Sequence, residues 1–115
     1  MNRKGIYIMD HKQQEEKVLL LLINFINNEN HLIEYPARRK LKNAALFWIA
    51  KEFESGREYK EREMNEIINS VCCFKDAALI RRELYDVRFI NRTENGSTYW
   101  LEEVQPTFQE LGLMD

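Results

Sequence analysis

Five residues in the last third of the chain, Arg81, Arg82, Tyr85, Arg88 and Arg92, have the side chains and the spacing to hold nucleic acid. On a helix lying in the major groove, an arginine can bond guanine O6 and N7 together. Tyr85, Arg88, Arg92 and Ser97 then fall where contacts to the phosphate backbone are expected. A second basic group, Arg38, Arg39, Lys40 and Lys42, sits at the start of an expected helix. Positive charge there opposes the helix dipole, so helix stability alone does not account for it. Phosphate binding is one reading, since backbone N–H groups point the same way; a solvated face is the other. Arg81 and Arg82 also carry two readings. They reach nucleic acid, or they tie their helix to Glu61, Glu63 or Asp76.

Other polar groups do not assemble into chemistry. Glu61 and Glu63 lie two apart on an expected helix and so do not face each other. They suit the first turn, where the dipole favours negative charge. His11 and His31 are the only histidines, which leaves no ligand set with metal spacing. Cys72 and Cys73 are adjacent and the only cysteines. They read either as a redox switch or as packed thiols in a turn, and a reducing compartment is the simplest setting. With no nucleophile–base pair and no phosphate-cradling glycine loop, the chain is expected to be no enzyme and to need no cofactor or metal.

The bulk numbers fit one small domain. The chain has 115 residues, 44% hydrophobic and 31% charged, with a net charge of −2 and a pI of about 5.8. A packed core with a solvated surface follows. The acidic balance counts against strong non-specific nucleic-acid binding, yet leaves room for a local basic face. The apolar run from Val18 to Ile26 falls short of a membrane span. No secretory signal is read, and a cytoplasmic protein without membrane contact is expected.

The elements that must position these residues follow from periodicity. Ile6–Ile8 reads as a short strand. His11 to Asn28 reads as a helix, apolar nearly all round in its second half and therefore expected to be covered on more than one face. His31–Tyr35 reads as extended before Pro36. A helix is expected from Ala37 to Phe53, capped by Gly56 in a left-handed conformation, with Arg57-Glu58-Tyr59 as a one-bridge strand after it. Met64, Ile67, Ile68 and Val71 mark an amphipathic helix over 61–71. Asp76 caps the next helix, whose Ala77, Ile80, Leu84 and Val87 point inward while Ala78, Arg81, Arg82 and Tyr85 point outward. Phe89–Arg92 and Thr98–Leu101 read as strands around Asn95-Gly96, a strong hairpin signal. The order predicts an α+β, mainly α fold: a winged helix-turn-helix of three helices plus a C-terminal β-hairpin, with an extra N-terminal helix. The expected division is an N-terminal helical extension over 1–30, a winged-helix domain over 31–103 and a tail over 104–115, whose Phe108, Leu111, Leu113 and Met114 dock on the domain or on a partner.

From Leu32 to Trp100 the chain resembles a bacterial family, domain of unknown function 2087. Pro36-Ala37-Arg38-Arg39-Lys40 matches its proline and basic run, and Trp48 and Phe53 its aromatic-rich helix. Tyr59, Glu61, Glu63, Met64 and Asn65 match a second motif; Asp76, Ile80, Arg81, Arg82 and Leu84 match a third. Arg92, Gly96 and Tyr99 match the hairpin. Arg88 stands where the pattern has glycine after the helix. Lys60 replaces a serine or threonine cap, so the capping box with Glu63 is expected to be lost. Ser70 to Lys75 is longer than the pattern. The resemblance implies a role related to transcription.

The leading expectation is a DNA-binding regulator that meets double-stranded DNA with the helix after Asp76 and with the wing, and that forms a homodimer through the Val18 to Ile26 helix. The alternative is a winged-helix module that binds protein and makes no DNA contact.

Overall fold

The structure, a computed structural model, describes residues 9–114, so the strand expected at Ile6–Ile8 lies outside the described residues. Among these are four helices, α1 (His11–Leu21), α2 (Arg39–Ala50), α3 (Glu61–Val71) and α4 (Ala77–Asp86), followed by an antiparallel pair, β1 (Ile90–Arg92) and β2 (Tyr99–Leu101). The fold is mainly helical α+β, and its order and hairpin are compatible with a winged-helix arrangement.

Helix α1 opens on a capping box: Asp10 accepts from the Gln13 N–H at 2.8 Å and Gln13 Oε1 accepts from the Asp10 N–H at 2.9 Å. It ends at Leu21, seven residues short of the expected end at Asn28. The chain turns at 22–25 so that Ile26 bridges Leu32 and the Ile33 N–H reaches the Phe25 carbonyl at 2.9 Å. Asn27 Oδ1 accepts from the backbone N–H groups of Glu29 and His31, a local bond that competes with helix. Leu32 then bridges Cys72 at the end of α3.

Pro36 is buried, and α2 starts only at Arg39, with Arg38 extended at its N-cap. The helix stops at Ala50 and Phe53 closes a tight turn onto it, so Gly56, with φ of 81°, belongs to a separate turn and does not cap the helix. Beyond it, Tyr59 and Tyr99 exchange two backbone hydrogen bonds of 2.8 Å, which fastens the hairpin beside the start of α3. The Tyr59 hydroxyl accepts from the Glu54 N–H at 2.8 Å. At the start of α3, half of the capping box survives. Glu63 Oε1 accepts from the Lys60 N–H at 2.8 Å, whereas the Lys60 ammonium has no acceptor to return a bond.

Asp76 caps α4 by accepting from the Leu79 N–H, as its side-chain type predicts. The helix ends in a Schellman motif: the Phe89 N–H reaches the Leu84 carbonyl at 2.9 Å and the Arg88 N–H the Tyr85 carbonyl at 3.1 Å. The left-handed residue this motif requires is Arg88, at φ of 76°, where glycine would be relaxed. The hairpin pairs Ile90 with Leu101 and Arg92 with Tyr99. Thr93 and Thr98 close its loop, and Gly96 supplies the positive φ of 73° that turns the chain.

One core gathers all parts of the described chain. Val18 and Leu22 of the α1 region, Leu46 and Ile49 of α2, Met64 and Ile68 of α3, and Ile80 and Leu84 of α4 meet Phe89, Ile90 and Tyr99 there. Phe108, Leu111 and Leu113 join them, so the tail docks on its own chain, with only Met114 of its expected contacts exposed. The Phe108 ring meets Phe47 edge-on at 5.2 Å, and buried Asn43 donates to the Leu111 carbonyl at 3.1 Å. Because Leu113 is fully buried, Leu113→Ala should lower stability by about 2–5 kcal/mol. A urea midpoint shifted downward at unchanged m would show this; an unchanged midpoint would mean that the tail is not part of the core.

Candidate nucleic-acid interface

Helix α4 buries Ile80 and Leu84 and leaves Ala78, Arg82 and Tyr85 exposed. Arg81 does not join them. Its side chain is only 15% exposed, with Nη1 at 3.5 Å from Glu61 Oε2 and donating to Asn65 Oδ1 at 3.1 Å. Its guanidinium also lies 5.8 Å from the Tyr99 ring centre. Arg81 therefore fastens α4 to α3 and the hairpin, which is the structural one of its two sequence readings. Its Nε is buried without a partner among the described residues.

The opposite flank of α4 is fastened by Glu83. The Tyr35 hydroxyl donates to Glu83 Oε1 at 2.7 Å, and Arg39 Nη1 approaches the same oxygen at 3.3 Å. The Tyr35 hydrogen bond, more than the Arg39 charge, holds the Glu83 carboxyl below its usual range, against the opposing effect of burial. Burial and the adjacent carboxylate push the Tyr35 hydroxyl upward, which keeps it a donor. Lys42 sits 5.6 Å from the Tyr35 ring centre. Of the basic group at the start of α2, Arg39 and Lys42 thus converge on Glu83, Lys40 is half-buried and Arg38 is exposed. Neither Tyr35 nor Glu83 stood out in the sequence. Their partners lie 48 and 44 residues apart, and no local pattern marks such a pair.

Beyond α4, Arg88 is exposed, and Arg92 extends from β1 with its guanidinium 5.0 Å from the Tyr85 ring centre. Arg92 Nη1 donates to the Thr93 and Glu94 carbonyls at 3.2 Å and so braces the wing turn. Ser97 stands exposed in that turn, its N–H bonded to Thr93 Oγ1 and Asn95 Oδ1. Between helix and hairpin lies a cleft of about 440 Å³ lined by Ala78, Arg81, Arg82, Tyr85, Asp86, Arg92 and Tyr99. The structure thus brings Arg82, Tyr85 and Arg92 together around one cleft. Arg39 and Lys42 of the basic group reach the other flank of α4 at Glu83.

The remaining candidates lie away from this cleft. Glu63 caps Lys60 and meets Arg57 at 3.5 Å; the Lys60 N–H holds its carboxyl below the usual range. Cys72 is buried, and desolvation, with Cys73 adding to it, pushes its thiol up to about 12. Cys73 is exposed. His11 is solvent-exposed and His31 half-buried. Among the described residues, no group of three His, Cys, Asp or Glu side chains could hold a metal ion, and no helix is long and apolar enough to cross a membrane.

The fold and this face define a small, mainly helical α+β module with a cationic helix–hairpin face. Residues 31–101 match the model of a bacterial family described as "Uncharacterized protein conserved in bacteria (DUF2087)", and the chain belongs to that family. No curated protein and no solved structure gives a significant match.

Two predictions follow from the flanks of α4. Arg81→Ala should cost about 1–3 kcal/mol, as it strips partners from Asn65 and Glu61, whereas exposed Arg82→Ala should stay within about 0.5 kcal/mol; chemical denaturation of both variants checks the contrast. Glu83 has a lowered carboxyl in the folded state, so the unfolded chain binds more protons and stability rises with pH through its titration. The stabilisation is present above the ordinary carboxylate value of 4.5 and is lost as pH falls below it through the lowered folded value. Glu83→Gln should be less stable near neutral pH and lose less on acidification; parallel slopes for wild type and variant would contradict this.

Proposed function

We propose that the protein binds double-stranded DNA and acts in transcription regulation, with the exposed face of α4 against the duplex and the hairpin reaching the adjacent backbone. One observation carries the reading: Arg82 and Tyr85 face solvent between two flanks that are tied inward, with Arg92 of the hairpin beside them. Arg88 adds support. A cation occupies the left-handed position where glycine costs least, and strain of this kind collects at functional sites. Arg39 and Lys42 border the same helix at Glu83, and Arg38, at the N-cap of α2, is exposed and supplies further positive charge. A net charge of −2 limits non-specific affinity, so the contact rests on this local face.

The test is fluorescence anisotropy against mixed-sequence duplex DNA at low and physiological salt, with wild type beside an Arg82→Ala/Arg88→Gly variant. Glycine suits the left-handed site, so this variant should fold as stably as wild type or better. Micromolar binding that weakens with salt is expected, with the variant binding about tenfold or more weakly and with a salt slope smaller by about 1–2. Absence of binding at low salt, or a variant equal to wild type, would refute the reading.

A second reading, a homodimer through the Val18 to Ile26 segment, is favoured by Leu20 and Ile23. Only Val18 and Leu22 of that segment are fully buried, while Leu20 is 72% and Ile23 62% exposed. Leu19, Leu21, Phe25 and Ile26 are partly buried against the core, so the segment is covered on more than one side, and a second copy would cover the two that stay open. Light scattering should give twice the chain mass for wild type and the chain mass for Leu20→Asp/Ile23→Asp. A monomeric wild type at high concentration would remove this reading.

A further inference from the structure

The cleft between α4 and the hairpin concentrates more cationic donors than the fold consumes. Arg81, Arg82 and Arg92 line it, against a single lining carboxylate, Asp86. The bonds of Arg81 to Asn65 and Glu61 all leave from Nη1, and its Nε is buried without a partner. The bonds of Arg92 to the turn carbonyls also leave from Nη1 alone. Arg82 makes no ion pair among the described residues. A guanidinium carries five N–H donors, so each of the three retains donors. Two of the three lie near rings, Arg92 at 5.0 Å from the centre of Tyr85 and Arg81 at 5.8 Å from that of Tyr99, so aromatic walls stand beside the cations. Arg81, Arg82 and Arg92 line one cleft from a helix and a hairpin, and cationic side chains on two walls suit a tetrahedral anion, which accepts from several directions, better than a planar carboxylate.

We propose that this cleft is a phosphate seat, in which Arg82 and Arg92 hold a phosphate group's oxygens and Arg81 supplies positive charge behind them. The same chemistry is offered by a nucleic-acid backbone and by a free phosphorylated small molecule. The seat does not depend on DNA binding: it is defined by its own donors and stands or falls by separate observations.

The experiment follows the arginine Nε–Hε resonances by NMR during titration with inorganic phosphate and pyrophosphate, with sodium chloride adjusted to hold ionic strength constant. Saturable shifts at Arg81, Arg82 and Arg92 are expected, with a dissociation constant on the order of 1 mM for pyrophosphate. Arg82→Gln should weaken the isotherm about tenfold. Because Arg82 is exposed, this variant keeps the fold. Arg92→Gln should do the same, and an unchanged amide spectrum elsewhere would show that the wing turn remains. Shifts that stay linear, that chloride reproduces, or that both variants leave unchanged would overturn the proposal. A duplex DNA arm separates the sources. Duplex that competes with pyrophosphate assigns the seat to a nucleic-acid backbone. Duplex that leaves a saturable pyrophosphate isotherm intact keeps the seat, assigns it to a free phosphorylated ligand and removes DNA from this cleft. DNA binding with no phosphate response overturns the seat and leaves the DNA reading standing.

Discussion

The orientation of α4 about its own axis is the constraint on which the rest depends, and two polar tethers set it. Arg81 is fastened to Glu61 and Asn65 of α3, and Glu83 to Tyr35 and Arg39 on the side of α2. Two residues span about 200° of a helix, so these tethers grip opposite flanks. Ile80 and Leu84 fix the inner face by burial. What is left exposed is the strip of Ala78, Arg82, Tyr85 and Asp86. Burial alone would tolerate some rolling of a short helix on its apolar face. Charge-assisted bonds from the mostly buried Arg81 and Glu83 to the half-exposed Glu61 and Arg39 restrict such rolling, because the partners sit on other elements. Their role is specification more than net stability, since desolvation offsets much of what a buried pair contributes.

The C-terminal end of α4 transmits that orientation to the hairpin. The Schellman bonds at Arg88 and Phe89 lead straight into β1, and the Phe89 carbonyl accepts from both the Glu102 N–H and the Gln105 side chain. Tyr99 pairs with Tyr59 on the other edge. Helix, wing and the segment after the wing are therefore one mechanical unit, and the cleft between helix and wing has fixed walls. The arginine at the left-handed position fits this unit at a conformational cost glycine would not incur. Asn30 and Lys75 also carry positive φ, each between elements.

Much of this was legible in the residues, for physical reasons that differ by element. Met64, Ile67, Ile68 and Val71 repeat at helical spacing and mark α3 to the residue. Asp76 announces α4 because a short carboxylate at an N-cap has one common use. Asn95-Gly96 marks the hairpin, and Arg88 marks its own strain by standing where glycine belongs. The run from Val18 to Ile26 misled because an apolar helix and an apolar turn leading into a bridge have the same composition; only the distant partners Leu32 and Cys72 distinguish them. Gly56 misled because a left-handed glycine serves any turn. The site was half legible. Arg82 and Tyr85 were expected to point outward and are exposed, but periodicity could not separate Arg82 from Arg81, one residue away, because the difference lies in Glu61 and Asn65 across a helix packing.

The central claim is that the strip held outward by these tethers, together with the wing, is the face that meets DNA. Amide chemical-shift mapping with a mixed-sequence duplex at low salt tests it most directly. The account predicts shifts concentrated at Ala78, Arg82, Tyr85, Arg88, Arg92 and Ser97, with α1 silent. Shifts centred on Leu20 and Ile23, or none at any duplex concentration, would contradict it.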